Sequence, residues 1–161
     1  MFIAQFLMKK VSTAKDMQEI DERAINKYGV PSLDLMENAG QGAVEALIRR
    51  FQDLSAKRIL VFCGKGNNGG DGFVIARLLS DMGADIKVLL LGKLRNLKND
   101  AAVNAGLARK LGIGIVEVIK ANNHIFEHHL KSCDIIIDAL FGTGLTRPVS
   151  GLYEQAINNI N

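Results

Sequence analysis

The sequence predicts an α/β protein with a three-layer αβα, Rossmann-like architecture built on a mostly parallel sheet. From residue 58 onward, short β-rich runs alternate with helical patterns, which is typical of a parallel sheet with helices on both faces. Two of these β-rich runs lead through a glycine-bearing loop into a helical pattern. With 161 residues, of which 48% are hydrophobic, the chain is long enough to bury a core of its own. We therefore predict a single domain over residues 1–161.

Two helices are predicted before the first strand. Thr13 is a favourable N-cap for the first helix, apolar residues follow at helical spacing, and Gly29 with Pro31 marks its end. Ser32 is expected to cap a second helix, whose apolar face continues to Phe51. These two helices precede the strand–helix alternation and complete the predicted architecture.

The chain opens with an apolar segment that is too short to span a membrane. Lys9 and Lys10 follow the apolar residues rather than precede them, so the pattern does not indicate a signal peptide. Residues 1–8 are therefore predicted to form a flexible extension, and a targeting role for them stays open. No membrane association is expected.

Four strands and four further helices are predicted after residue 57. The strands are expected at 58–63, 86–91, 113–118 and 134–138, and the helices at 71–83, 98–111, 123–131 and 150–160. If right-handed crossovers place the fourth strand beside the first, the strand order is 3-2-1-4. The two glycine-bearing loops then flank the crevice where the strand order reverses, which is where open α/β sheets bind ligands.

The first of these loops reads Gly-Lys-Gly-Asn-Asn-Gly-Gly-Asp-Gly over residues 64–72. Five glycines in nine residues contribute no side chains to packing, so we expect them to let a ligand approach the backbone closely. The helix that follows directs its unpaired N–H groups and positive dipole end at the loop, where a pyrophosphate would be stabilised. The loop is therefore predicted to cradle phosphate groups.

Other phosphate and nucleophile motifs fit this loop poorly. Gly-x-Gly-x-x-Gly is present, but the acidic residue that holds a ribose at the end of the second strand is replaced by Gly92 and Lys93. Lys93 and Arg95 either favour a 2′-phosphate or face solvent. No Gly-Lys-Ser/Thr follows the loop and no Gly-x-Ser-x-Gly occurs, which excludes a P-loop and a nucleophile elbow.

Polar side chains accompany both glycine-bearing loops. Asn67, Asn68 and Asp71 belong to the first loop, and Asp138 begins the second. Their amide and carboxylate oxygens are suited to a hard cation or a polar substrate. Arg147, at the far end of the second loop, can hold two phosphate oxygens at once.

Composition argues against several classes of protein. The formal net charge is +3, and the basic residues are scattered in pairs without interleaved aromatic residues, so nucleic-acid binding is not indicated. Two cysteines without a secretory context indicate a reducing compartment, and we expect a cytoplasmic protein. Cys63, at a strand end, is expected to be buried in the core.

Three motifs occur together in one order. They are Met36-Glu-Asn-Ala-Gly40, the glycine run at 64–72, and Asp138-Ala-Leu-Phe-Gly-Thr-Gly-Leu-x-Arg147. In these motifs the chain resembles the NAD(P)H-hydrate epimerase family. The resemblance implies repair of NADHX and NADPHX, the hydrated forms of NADH and NADPH, by interconversion of their R and S epimers. A homodimer, and a fused or separate ADP- or ATP-dependent NAD(P)HX dehydratase, are the partners that it implies.

The same resemblance implies a set of site residues. Asn68 and Asp138 would bind a potassium ion, K+. The substrate would contact Asn67, Asn68, Gly69, Gly70 and Asp71 in the first loop, and Gly142, Thr143, Gly144, Leu145, Thr146, Arg147 and Pro148 in the second. The family's next strand ends in Asp-x-Pro-Ser-Gly, which supplies a catalytic aspartate and a potassium ligand. This chain stops at Asn161, before that segment, so a fragment is predicted and Asp71 is its remaining catalytic candidate.

Several alternatives remain open at this stage. Asp71 is about as well explained as the N-cap of the third helix. Glu37 and Asn38 either pack against the glycine loop or mark the solvated start of a helix. His124 and His128 suit an exposed helix face better than a metal site. The same fold could also serve as a non-catalytic nucleotide-binding or protein-interaction module.

Overall fold

The computed structural model describes residues 12–120 and 123–161, so the predicted extension over residues 1–8 lies outside the described residues. The described chain divides into two compact units after Pro31. Whether residues 1–161 form one domain stays a prediction. Within the described residues, no helix is both long and apolar enough to cross a membrane.

The first unit contains helix α1 (Ala14–Tyr28), as predicted. Thr13 caps it by accepting a hydrogen bond from the Asp16 backbone N–H at 3.2 Å, and the Asp16 carboxylate accepts one from the Thr13 N–H at 2.9 Å. Gly29 ends the helix in a left-handed conformation with φ 69°, which favours glycine. The capping pattern in the sequence therefore predicted both ends of this helix.

The second unit alternates strands and helices. Its helices are α2 (Ser32–Phe51), α3 (Asn67–Asp81), α4 (Asn99–Lys110), α5 (Asn123–Leu130) and α6 (Leu152–Ile160), with a single 3₁₀ turn at Leu94–Asn96. Its strands are β1 (Arg58–Cys63), β2 (Asp85–Leu90), β3 (Gly114–Glu117) and β4 (Ile135–Ala139). The predicted α/β fold class is therefore confirmed.

The four strands form one parallel sheet in the order β3-β2-β1-β4, which confirms the predicted strand order. Cys63 at the end of β1 pairs with Leu90 of β2 and Ala139 of β4. The carboxyl ends of the three strands therefore lie at one edge of the sheet, and the loops that follow them begin side by side.

Two hydrophobic clusters cover the two faces of the sheet, as the three-layer prediction requires. Val61 and Cys63 of β1 belong to the cluster that packs against α2, α3 and α4. Leu60 and Phe62 belong to the other, which packs against α5 and α6. Alternate residues of a strand point to opposite faces, so a strand covered on both faces reads as a continuous apolar run.

Helix α3 begins at Asn67, four residues before the predicted start. Gly66 is its N-cap residue, and the Gly70 N–H donates to the Gly66 carbonyl at 3.1 Å. Asp71 therefore lies in the second turn, and its predicted role as the N-cap is wrong. Asparagine and glycine favour turns on their own, but here the packing described below holds them in the helix.

Arg58 and Asp134 join the amino-terminal edge of β1 to the segment before β4. The Asp134 carboxylate accepts hydrogen bonds from the Arg58 Nη2, backbone N–H and Nε at 2.8, 2.9 and 3.1 Å. The hydrogen bonds from the Arg58 side chain have the larger effect and the one from its backbone N–H the smaller, and together they hold the pKa of the Asp134 carboxyl well below its usual range. The pair therefore stabilises the fold only while Asp134 is ionised.

We expect this pair to contribute to the acid sensitivity of the protein. Because the pKa of Asp134 is lower in the folded than in the unfolded chain, its stabilising effect is present above the unfolded pKa and is lost as the pH falls below it. Asp134→Asn should reduce the free energy of unfolding near pH 7, and the difference from wild type should narrow between pH 5 and 2. Urea unfolding followed by circular dichroism across that range measures it. A difference that stays constant with pH would contradict the prediction.

Candidate active site at the carboxyl edge of the sheet

Two glycine-bearing loops meet at the carboxyl edge of the sheet, after β1 and after β4. The Gly64 N–H donates to the Ala139 carbonyl at 3.0 Å. The Asn68 side-chain Nδ2 donates to the Phe141 carbonyl, also at 3.0 Å. These two hydrogen bonds fix the first loop against the second and form the crevice that the strand order predicted.

The five glycines of the first loop have two different roles. A Cβ at Gly64 would lie 2.2 Å from the Leu140 carbonyl oxygen, and one at Gly69 would lie 2.0 Å from the Gly64 carbonyl oxygen. A Cβ at Gly70 would lie 2.6 Å from the flexible end of the Met36 side chain, and one at Gly72 would lie 2.7 Å from the Cys63 and Ala139 side chains. Only a Cβ at Gly66 would meet nothing within 4 Å.

The expectation that all five glycines admit a ligand is therefore wrong. At four of them a side chain would collide with neighbouring atoms. Their lack of side chains lets the first turn of α3 pack closely on the loop and the sheet. Gly66 is the one whose backbone faces open space, at the N-terminus of α3. A ligand that approaches the loop backbone would do so at Gly66.

The start of α3 presents backbone donors to this space. Gly66 has no side chain with which to cap the helix, so the N–H groups of the first turn of α3 receive no hydrogen bond from the N-cap residue's side chain. Asn67 is exposed, while Asn68 and Asp71 are partly buried. The arrangement is suited to an anion, since the N–H groups and the helix dipole both favour negative charge.

Asp138 and Asn68 contribute oxygen atoms on the two sides of the crevice. The Asp138 side chain is exposed, and its Oδ1 accepts a hydrogen bond from the Leu140 N–H at 2.9 Å. Asn68 donates through Nδ2, which leaves its Oδ1 as an acceptor. Amide and carboxylate oxygens fit a hard cation such as potassium. Backbone carbonyls or water would have to complete its shell, because the described residues contain no group of three or more His, Cys, Asp or Glu side chains that could hold a metal.

The second loop is open to solvent over its whole predicted substrate segment. Residues 142–148 are all exposed, Arg147 and Leu145 among them. Gly142 lies nearest to the first loop, since a Cβ there would be 3.4 Å from the Asn68 Cβ. The structure thus brings Gly142 and Asn68 together and leaves Arg147 on an exposed part of the loop.

Tyr153 of α6 completes the wall of the crevice and was missed in the sequence. Its hydroxyl donates to the Leu91 carbonyl at 3.1 Å, directly after β2, and its ring centroid lies 4.9 Å from that of Phe141. Burial raises the pKa of this hydroxyl, and a hydrogen bond with the Lys65 backbone acts in the opposite direction. A tyrosine in the first turn of an amphipathic helix carries no local signal of such contacts.

A buried polar network supports α3 from behind. Arg77 pairs with Glu37 of α2 at 2.5 Å, and the same Nη2 donates to Asn104 Oδ1 of α4 at 2.9 Å. Asn104 in turn donates to Met36 Sδ and to the Asp100 carbonyl, and only 2% of its surface is exposed. Glu37 therefore packs against α3 rather than against the loop itself.

The remaining candidates have structural explanations. Asn38 is exposed on α2, as are His124 and His128 on α5. Cys63 is fully buried, as predicted, and burial raises the pKa of its thiol far above the usual range. A thiol in that state is a poor nucleophile, so Cys63 belongs to the core.

Comparison with known proteins agrees with this architecture. In the crystal structure of yeast ynu0, YNL200c, the fold matches with a TM-score of 0.81 at 24% sequence identity, over 94% of this chain and 65% of that chain. This similarity concerns the fold alone.

Two curated relatives are more similar in sequence. A bifunctional NAD(P)H-hydrate repair enzyme from Moorella thermoacetica is 42% identical over 152 residues, which is 92% of this chain and 28% of the relative. An NAD(P)H-hydrate epimerase from Rhodopirellula baltica is 38% identical over 150 residues, covering 92% of this chain and 59% of the relative. The chain thus spans less than two thirds of the length of either relative.

A further match is to a family of domains rather than to one protein. The family described as YjeF-related protein N-terminus matches residues 32–161, from the first residue of α2 to the end of α6. The match contains every strand of the sheet, both glycine-bearing loops and the Arg77 network. The chain therefore belongs to the YjeF-related N-terminal domain family.

Proposed function

We propose that this chain acts in the repair of hydrated NADH and NADPH by interconverting the R and S epimers of NADHX and NADPHX. The observation that carries the proposal is the crevice in which Asn68 joins two loops, one with an uncapped helix N-terminus and one with an exposed carboxylate. The names of the relatives, which are NAD(P)H-hydrate epimerase and bifunctional NAD(P)H-hydrate repair enzyme, support it.

In this proposal the two loops hold the phosphates of the substrate. The N–H groups at the start of α3 bind one phosphate, with Gly66 leaving room for its approach. Arg147 binds phosphate oxygens from the second loop, where its guanidinium is exposed and available. Asn68 and Asp138 would hold a potassium ion, which supplies positive charge between the loops.

The reaction itself requires a proton donor and acceptor at the hydrated ring carbon. Epimerisation proceeds by loss and return of hydroxide through a cation conjugated to the ring nitrogen, or by ring opening to an aldehyde followed by closure. A carboxyl group beside the hydroxyl would protonate it as it leaves and take a proton from the returning water. Asp71, partly buried in the second turn of α3, is the candidate for this role within the chain.

The proposal also includes the fate of the product. The bifunctional relative is more than three times as long as the matched segment, and its name indicates that a second repair activity is joined to this kind of domain. We propose that an ADP- or ATP-dependent dehydratase, fused or separate, consumes the S epimer. The homodimer and the cytoplasmic location stay predictions.

Epimerisation of purified R-NADHX, followed by chromatography in potassium and in sodium at equal ionic strength, tests the function. We expect this chain to exceed the spontaneous rate and to depend on potassium. Asn68→Ala and Asp138→Ala should each weaken substrate binding by about tenfold, since each removes a charge-assisted contact. Asp71→Asn should bind substrate and lose the acceleration, because an amide cannot exchange the proton.

Asp81→Ala is the control, because Asp81 is exposed and lies at the opposite end of α3. It should leave both binding and rate unchanged, and circular dichroism should show that every variant is folded. Unchanged binding in both Asn68→Ala and Asp138→Ala would overturn the assignment. Binding without acceleration by the wild-type chain would show a substrate-binding domain whose catalytic acid lies outside residues 1–161.

A further inference from the structure

A second cavity lies at the amino-terminal edge of the sheet, opposite the crevice. It has a volume of about 210 Å³ and lies between the starts of β1 and β2 and the end of α5. Because the six residues of β1 are separated by five steps of about 3.3 Å, the two edges are roughly 16 Å apart. The cavity is lined by Arg58, Ile59, Leu60, Asp85, Lys87, His128, His129, Ser132 and Cys133.

The charges around this cavity are unevenly distributed. Both acids of the region act on Arg58, since Asp134 forms its ion pair at 2.8 Å and Asp85 adds a further attraction. Lys87 forms no ion pair with any of the described residues. Its stem extends toward β3, where the absence of a side chain at Gly114 leaves room for it. Arg58, Lys87, Asp85 and Asp134 together carry no net formal charge, but among them the Lys87 ammonium is the cation without an ion pair.

His129 lies on the Lys87 side of the cavity. Burial lowers the pKa of His129, and the positive charges of His128 on α5 and Lys87 on β2 lower it further. Asp85 lines the same cavity and Asp134 lies next to it, but neither acid contributes to this shift. A negatively charged ligand would reverse the effect and favour the protonated imidazole.

We propose that this cavity binds a phosphate group, with Lys87 and His129 as its main partners. The exposed His128 adds a further polar group to the lining, whereas the Ser132 hydroxyl donates to the His129 carbonyl at 3.1 Å. A metal ion would be the other ligand for two imidazoles and a thiol, but it is disfavoured by the ammonium of Lys87 and by the absence of a three-ligand group in the described residues.

The size of the cavity limits the ligand to a small one. At about 30 Å³ per water molecule, 210 Å³ corresponds to roughly seven waters, below the range of about 300 to 1,000 Å³ that accommodates drug-sized ligands. A free phosphate or a short phosphate monoester fits, and a dinucleotide does not. The site is thus separate from the crevice and does not depend on the proposed epimerase activity.

Inorganic phosphate and sulfate are the probes for a histidine-detected NMR titration of the full chain at constant ionic strength. Sulfate stays a dianion across the pH range, so it isolates the titration of His129. Its binding should raise the pKa of His129 by about half a unit or more, and affinity should therefore increase as the pH falls from 8 to 6. Chloride at equal ionic strength should produce no such shift.

Lys87→Met should weaken phosphate binding by about tenfold, and Lys87→Arg should largely restore it, because the restored charge is what the anion requires. Lys110→Met, an equal charge change at the exposed end of α4, should leave the affinity unchanged. Tighter binding of glycerol 3-phosphate than of phosphate would identify a monoester ligand, and the reverse would identify the free anion. Equal affinities in Lys87→Met and Lys110→Met, or a response reproduced by chloride, would overturn the site.

Discussion

Replacing Gly69 by alanine is expected to destabilise this domain severely, while the same change three residues earlier has a much smaller effect. The new Cβ at Gly69 would lie 2.0 Å from the Gly64 carbonyl oxygen and 2.7 Å from its carbonyl carbon. Both are backbone atoms, and Gly64 is itself bonded to the Ala139 carbonyl. Relief requires the loop to separate from α3 or from β4. We expect a loss of about 3 to 5 kcal/mol in the free energy of unfolding.

Gly66→Ala is the matched control for this prediction. Gly66 has φ −95°, which alanine adopts freely, and its Cβ would meet nothing within 4 Å. Because glycine is preferred over alanine at an N-cap, its free energy of unfolding should fall by about 0.5 to 1 kcal/mol, well short of the loss at Gly69. Substrate binding should weaken, however, because the added methyl group occupies the space that faces the ligand. Urea unfolding of both variants measures the difference, and equal stability would refute the packing role of Gly69.

Removing Arg77 should have the next largest effect on stability. Arg77→Met deletes the hydrogen bonds to Glu37 and Asn104 and leaves the Asn104 amide oxygen buried without that donor. The Arg77 Nε is already buried without a hydrogen-bond partner in the described structure, so its removal offsets part of the cost. Glu37 also keeps some access to solvent. We expect a loss of about 2 to 3 kcal/mol.

Arg49→Met provides the comparison for Arg77→Met. Arg49 pairs with Glu45 at 3.6 Å, and about two thirds of each side chain is exposed. Such a pair is worth roughly 0.5 kcal/mol or less. A double-mutant cycle with Glu37→Gln then isolates the Arg77–Glu37 coupling. If urea unfolding shows Arg77→Met to be as mild as Arg49→Met, the network has no stabilising role.

Much of this fold follows from local patterns in the sequence. The boundaries of β1 are as predicted, because a strand covered by helices on both faces is apolar along its length from Ile59 to Cys63. The order of the four strands followed from the handedness of their connections. These features need only the period and length of each segment, and both are visible without any knowledge of the packing.

The start of α3 could not be predicted in the same way. Asn67, Asn68 and Gly69 favour turns, and they are helical because Gly64 and Met36 approach the helix too closely for side chains on that face. Met36 comes from another helix, and Gly64 is held in place by its hydrogen bond to Ala139 of β4, so no local window contains the whole reason. Because this boundary was predicted at residue 71, Asp71 was left open as an N-cap, an alternative that the structure contradicts.

The sequence indicated the residues of the crevice but not the residues that pack behind and beside it. Asn68 and Asp138 were recognised by residue type, and the strand order placed their loops together. Arg77, Asn104 and Tyr153 were overlooked because a charged, an amide or a phenolic side chain on an amphipathic helix normally faces solvent. Their hydrogen-bond partners lie on other helices or directly after β2, so they become visible only in the folded structure. The roles of the crevice residues in binding and catalysis stay predictions.

Because most glycines of the 64–72 run serve packing, the presence of this run does not by itself indicate that a chain is catalytically active. Four of the five glycines are required for α3 to sit on the sheet, so a chain that had lost all chemistry would still keep them in order to fold. The glycine run therefore indicates the fold of the domain rather than its activity. Activity in a chain of this family is better tested at Asp138 and at the bare backbone of Gly66, since Asn68 also joins the two loops through its hydrogen bond to Phe141.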